Sequence, residues 1–188
     1  MPTTVLPTEQ TATEVLIGVS DLRIRISGTY PVDGVSFNIA RGETLALLGE
    51  SGCGKSITAL ALMGLLPNGA EIVGGRIDYR GRDLRTLTPL ERRQLRGRRI
   101  AMVFQEPMTS LNPVLSIGYQ IAEAVSLHQG LVDDAARRRV VELLDAVGIG
   151  DPEARYGDYP HQLSGGMKQR VMIAIALAGD PDLLIADE

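Results

Sequence analysis

Eight consecutive residues, Gly49-Glu50-Ser51-Gly52-Cys53-Gly54-Lys55-Ser56, fit the pattern G-x-x-x-x-G-K-[ST]. Residue types in this order suit one task, the binding of phosphate. Glycines let the backbone curl until several N–H groups face one anion. A helix beginning at the end of the loop adds the positive end of its dipole. In that arrangement Lys55 reaches the β- and γ-phosphates of ATP and Ser56 holds Mg²⁺. Cys53 is read as a small side chain whose backbone N–H faces the phosphates, with a reactive thiol as the competing reading.

The chain carries a second acidic signal at Leu183-Leu184-Ile185-Ala186-Asp187-Glu188, an apolar run that ends in two carboxylates. A phosphate loop needs a further metal contact, and Asp187 at the tip of a buried strand would supply it through Mg²⁺. Glu188, one residue on, is placed where a carboxylate polarises an attacking water. Alone, Asp-Glu after an apolar run is a weak signal, and it gains its meaning from the upstream loop.

Between these two motifs lies Leu163-Ser164-Gly165-Gly166-Met167-Lys168-Gln169-Arg170. Here the sequence closely resembles the ABC ATPases, whose hallmark is LSGGQ followed by a basic-Gln-Arg run. Met167 stands where Gln is usual, as it often does in the peptide-importer branch. Ser164, Gly165 and Gly166 at a helix start make a second anion site. The resemblance implies that this site closes over ATP held by a second ATP-binding subunit, so that hydrolysis opens a dimer. Gln105 matches the family's Q-loop, where it would touch Mg²⁺ or the attacking water. The stretches Phe104–Pro113 and Tyr159–Ser164 resemble the dipeptide, oligopeptide and nickel importer branch. That likeness implies transmembrane permease subunits and, indirectly, a solute-binding protein as partners. It also implies a peripheral place on the cytoplasmic face of the inner membrane. The resemblance covers residues from about 15 to 188.

Family members stack adenine on an aromatic residue before the second strand. That position falls near Ile26 here, and Tyr30 is the nearest ring and the expected substitute. The family continues past the position of Glu188 with further strands and a switch histidine. His128 and His161 both precede Asp187, so neither can be that switch. The expectation is a fragment in which the C-terminal part of the sheet is missing.

These residues need elements to hold them. Residues 1–14 are polar and aperiodic and read as a loose tail. Val15–Ile26 and Val35–Ile39 alternate as strands. Thr44–Leu48 reads as a buried strand feeding the phosphate loop, and Ser56–Leu66 as a buried helix stopped by Pro67. Gly74–Tyr79 and Ile100–Phe104 read as further strands. Thr88-Pro89-Leu90-Glu91 has the form of a capping box and opens a short helix ending near Gly97. Helices are expected at Ile117–His128, at Asp133–Val147 from an acidic cap, and from Ser164 through Leu177, before a strand at Leu183–Ala186. Strands alternating with helices indicate an α/β class: a P-loop NTPase sheet flanked by helices, with a helical subdomain inserted over about 115–178.

Composition narrows the function. The 188 residues carry a net charge of −4, contain no Trp, and have lysine only at Lys55 and Lys168. That balance gives no general attraction to nucleic acid. The arginines at 92, 93, 96, 98 and 99 and at 137–139 are read as solvated helical faces. The lone Cys53 forms no internal disulfide, and no apolar run is long enough to span a bilayer. An ATPase of DNA repair or chromosome maintenance is the reading from another class. Such proteins usually interrupt the interval between loop and signature, which is compact here. A nucleotide-binding chain without turnover is the third.

Overall fold

The computed structural model describes residues 14–104 and 110–187. Two long strands, β1 (Val15–Ile26) and β2 (Thr29–Ala40), form an antiparallel hairpin, and β3 (Ala70–Tyr79) pairs with the other edge of β1. A two-residue strand β4 (Arg82–Asp83) completes the order β2-β1-β3-β4. Alternation along β1 puts Ile17 and Val19 inward, and a register shift around Asp21 then returns Leu22 and Ile24 to the same core. The sequence reading took only Val35–Ile39 for β2. The strand starts earlier because Thr29–Val32 continue to pair with β1 across the turn at Ser27-Gly28.

A second, parallel sheet pairs β5 (Ile100–Val103) with β6 (Leu183–Ala186). Between the two sheets lies α1 (Lys55–Met63), which contacts both β2 and β5 and buries Ala59, Leu62 and Met63 in the shared core. It closes at Gly64 (φ 62°), in the left-handed conformation that suits glycine at a helix end. It therefore stops short of the end expected near Leu66. The short α2 (Pro89–Leu95) carries the capping box in full. Thr88 Oγ1 accepts from the Glu91 N–H at 3.3 Å, and Glu91 Oε2 accepts from the Thr88 N–H at 2.9 Å.

A separate core gathers the helices α3 (Ile117–Gln129), α4 (Asp133–Ala146) and α6 (Gly165–Leu177), with the one-turn α5 (Pro152–Arg155) between them. Ile117, Ile121, Val125, Val140, Leu144 and Val171 are fully buried there. The acidic cap expected at Asp133 is absent. Val132 is the N-cap with no side-chain bond, and Asp133 and Asp134 fall inside the first turn, where their charge still faces the positive helix end.

Thr44–Leu48, expected as a buried strand, forms no ladder, and Leu48 is 92% exposed. A parallel strand needs a neighbour in register. Here Leu45–Leu47 face β6 across a groove of about 350 Å³, so the two segments line the same space without pairing. Phe104 also lies beyond the end of β5 and is exposed.

Arg93, Arg98, Arg99, Arg137 and Arg138 are exposed, as a solvated face requires, whereas Arg92, Arg96 and Arg139 are partly buried. Arg137 stacks 4.4 Å from the centre of the Tyr156 ring, and Arg139 pairs with Glu142 and Asp180. Arg92 and Arg96 are half-buried and turn toward the end of α1.

Candidate functional site: a phosphate loop and its carboxylate

The loop's shape follows from its glycines. Gly54 is the N-cap of α1 with φ 98°, and a side chain there would press on the Pro31 carbonyl and the Val32 side chain. Thr58, buried one turn into α1, secures Gly54 from the other side. Its N–H and its hydroxyl both donate to the Gly54 carbonyl at 2.8 Å. Sequence reasoning missed Thr58, although a hydroxyl inside an apolar helical run was the available signal.

Lys55 starts α1 and folds back over the loop, donating to the carbonyls of Gly49 (2.7 Å) and Glu50 (2.8 Å). Its ammonium stands 3.8 Å from Cys53 Sγ. The Cys53 N–H, expected to face phosphate, donates instead to the Glu50 carbonyl at 3.3 Å and closes a local turn. Ser51, Gly52 and Cys53 are exposed, so the loop surface is open to a ligand.

Ser56 and Asp187 meet. The Ser56 hydroxyl donates to Asp187 Oδ1 at 2.9 Å, across 131 residues of sequence. Two features hold Asp187 at that point: the parallel pairing of β6 with β5, and a bond from its N–H to the Val103 carbonyl at 3.1 Å. A hydroxyl and a carboxylate oxygen side by side at the foot of a phosphate loop are hard donors suited to Mg²⁺, which takes one or two protein oxygens and completes its shell with phosphate and water. Among the described residues no cluster of three or more His, Cys, Asp or Glu side chains could cage a metal alone.

The other predicted residues stand as follows. Tyr30 is 53% exposed on β2, one residue before the Pro31 carbonyl that packs against Gly54. Ile26 packs against the core instead. Ser164 caps α6, its Oγ accepting from the Met167 N–H at 3.3 Å. Gly165 and Gly166 are exposed, with open space where side chains would be. This helix start belongs to the helical core, and no hydrogen bond joins it to the phosphate loop among the described residues. Gln105 and Glu188 lie outside the described residues.

A further constellation was not legible in sequence. Asp182, at the entry to β6, accepts from Tyr79 Oη (2.5 Å) and Arg80 (2.8 Å) and pairs with Arg99 at 3.6 Å. Burial, and then the bond to Asp182, push the Tyr79 phenol up to about 12. This contact ties the end of β3 to the strand that presents Asp187.

Comparison with known proteins agrees with this geometry. Residues 32–188 match the family model described as ABC transporter. The chain is 49% identical over 180 residues to a probable peptide ABC transporter ATP-binding protein of Sinorhizobium fredii, covering 93% of this chain and 54% of that protein. It is 50% identical over 157 residues to the dipeptide transport ATP-binding protein DppD of Escherichia coli, covering 84% of this chain and 48% of that one. The chain thus spans about half the length of the curated relatives it matches. Among solved structures, a dimeric post-hydrolysis state of the ATP-binding cassette MJ0796 bound to ADP and Pi superposes with a TM-score of 0.77 at 26% identity, over 92% of this chain and 73% of that one. A phosphate loop joined to a strand-tip carboxylate, a capped Ser-Gly-Gly helix start and a family match from 32 to 188 have one common explanation: the chain belongs to the ABC transporter family.

Proposed function

We propose that this chain is the ATP-binding and ATP-hydrolysing part of an importer that moves peptides or similar small solutes across a bacterial cytoplasmic membrane. The contact between Ser56 and Asp187 carries the reading, because it brings the two oxygens that would hold Mg²⁺ to the foot of the loop that would hold the phosphates. The named relatives supply the transport half of the proposal.

In this reading residues 15–188 are the ATP-binding domain, with a helical subdomain over about 115–178. Gly49–Ser56 bind the phosphates, and Lys55 exchanges its two loop carbonyls for β- and γ-phosphate oxygens. Ser56 and Asp187 hold Mg²⁺, and Gln105 touches Mg²⁺ or the attacking water. Tyr30 stacks on adenine. Glu188 is the base that polarises the attacking water, and bound Mg²⁺ offsets charge on the phosphates. Ser164, Gly165 and Gly166 face the nucleotide of a second ATP-binding subunit; the dimeric form of the MJ0796 cassette supports that arrangement. Transmembrane permease subunits would do the spanning, since no helix among the described residues is long and apolar enough to cross a membrane. The chain would sit peripherally on the cytoplasmic face.

The test is binding of a fluorescent ATP analogue with Mg²⁺ to the chain and to Lys55→Ala. A loss of at least a hundredfold in affinity is expected. Equal affinity in the variant would refute the assignment of the loop as the nucleotide site.

A further inference from the structure

A cavity of about 390 Å³ opens at the far end of α1 from the phosphate loop. Its floor is apolar, formed by Leu62, Ile72, Ile77, Leu84 and Leu95, and its walls include three arginines, Arg85, Arg92 and Arg96. Among the described residues no acidic side chain lines it. The volume is in the range of small-ligand sites, which are mostly apolar with a few convergent polar groups.

The three guanidinium groups differ in what they already hold. Arg85 is paired with Asp83 at 2.9 Å. Arg96 donates to the carbonyls of Met63 and Gly64, at 2.9 and 3.0 Å, and so caps the negative end of α1. Arg92 has a single acceptor, the Arg85 carbonyl at 2.8 Å. Its Nε–H is shut off from solvent and has no partner among the described residues. Among those residues no carboxylate pairs with Arg92 or Arg96. A half-buried guanidinium with no carboxylate partner against an apolar floor is costly alone, and an anion against the part of Arg92 that lines the cavity would offset its charge.

We infer that this cavity binds a compact amphiphilic carboxylate, with its hydrocarbon body on the Leu62–Leu95 floor and its head on the Arg92 guanidinium. Arg85 is paired with Asp83, and the Arg96 fork is occupied by the carbonyls at the end of α1, which leaves Arg92 to receive the head group. A guanidinium fork matches the two oxygens of a carboxylate. The site is separate from the nucleotide loop, and its occupant is a small molecule that none of the residues assigned above would recognise.

The experiment is calorimetric titration of the chain with octanoate, hexanoate and 1-octanol, all below their aggregation limits, and of Arg92→Met and Arg92→Lys with the same three. Octanoate should bind roughly ten times tighter than hexanoate, since two methylenes leave water, and at least ten times tighter than 1-octanol. Arg92→Met should lose the preference for octanoate over 1-octanol, and Arg92→Lys should keep part of it. Both variants should bind the fluorescent ATP analogue as the parent does, which certifies their folding. Equal affinity of the parent for octanoate and 1-octanol, no binding of octanoate into the millimolar range, or undiminished octanoate binding by a folded Arg92→Met would each overturn the inference. The comparison of octanoate with 1-octanol on the parent decides the matter even if the variants fail to fold.

Discussion

Ser56 has one observed contact and one proposed role, and the two can be separated. Its hydroxyl donates to Asp187 Oδ1 in this structure and is proposed as a metal ligand when nucleotide is present. Ser56→Ala should therefore raise the Mg²⁺ concentration needed for nucleotide binding by at least tenfold, with little change in metal-free affinity. Titrating Mg²⁺ at fixed nucleotide reads this directly, and an unchanged Mg²⁺ midpoint would remove Ser56 from the metal site. At this scale much of the proposed site is legible in sequence. Lys55 and Ser56 follow from the fixed offsets of a phosphate loop, and Asp187 from a carboxylate after an apolar run, read together with that loop. Thr58 and Pro31 are not legible there, because they act on Gly54 by contact in space, through a hydroxyl and a carbonyl that no short motif encodes. The partners of Lys55 here are the loop's own carbonyls, which no motif specifies.

Among the elements, α2 was the most fully readable, since Thr88, Pro89 and Glu91 spell out its start. Thr88→Ala should cost about 1 kcal/mol of stability, measured by urea unfolding. Glu91 makes the same cap sensitive to pH. The Thr88 backbone N–H, the Thr88 hydroxyl and Arg82, in that order, hold the Glu91 carboxyl down at about 2, against an ordinary value of 4.5. A carboxyl whose folded value is depressed contributes stability above its unfolded value and loses it as pH falls toward its folded one. The difference in melting temperature between the parent and Glu91→Gln should thus be constant above about pH 4.5 and shrink as pH falls from there toward 2. A difference that holds steady to pH 2 would show the cap contributes nothing through its charge. Thr44–Leu48 was the least readable element. Its composition suits a buried strand, but a strand forms only where a neighbour offers its hydrogen bonds, and β6 lies across a groove from it.

Across the whole molecule, two sheets and a helical core must be held in one arrangement for Asp187 to reach Ser56. Asp182 is the tie that sequence could not reveal, because Tyr79, Arg80 and Arg99 converge on it from distant elements. Its effect on Tyr79 is measurable. Burial and the Asp182 bond raise the phenol from 10.0 to about 12, so the folded chain holds that proton more tightly than the unfolded one. This contribution to stability is intact below about pH 10 and is lost as pH rises from 10 toward 12. A spectrophotometric titration should show one tyrosine ionising late, and in Asp182→Asn that midpoint should move toward 10 while staying above it, since burial remains. A single titration of all tyrosines near 10 in the parent would contradict the tie. The α/β class and the P-loop arrangement were readable from element order. The antiparallel extent of the β2-β1-β3-β4 sheet was not, because pairing partners are set by long-range packing.

The sequence separation of 131 between Ser56 and Asp187 also has a meaning in time. A ribosome adds about 5–20 residues per second, so the loop leaves it on the order of ten seconds before its carboxylate does. During that interval α1 and the β1–β2 hairpin can form from local contacts, while Asp187, one half of the proposed metal site, has not yet emerged. The proposed metal site therefore cannot form before Asp187 has emerged, and a nascent chain would acquire it in a single step roughly ten seconds after the loop.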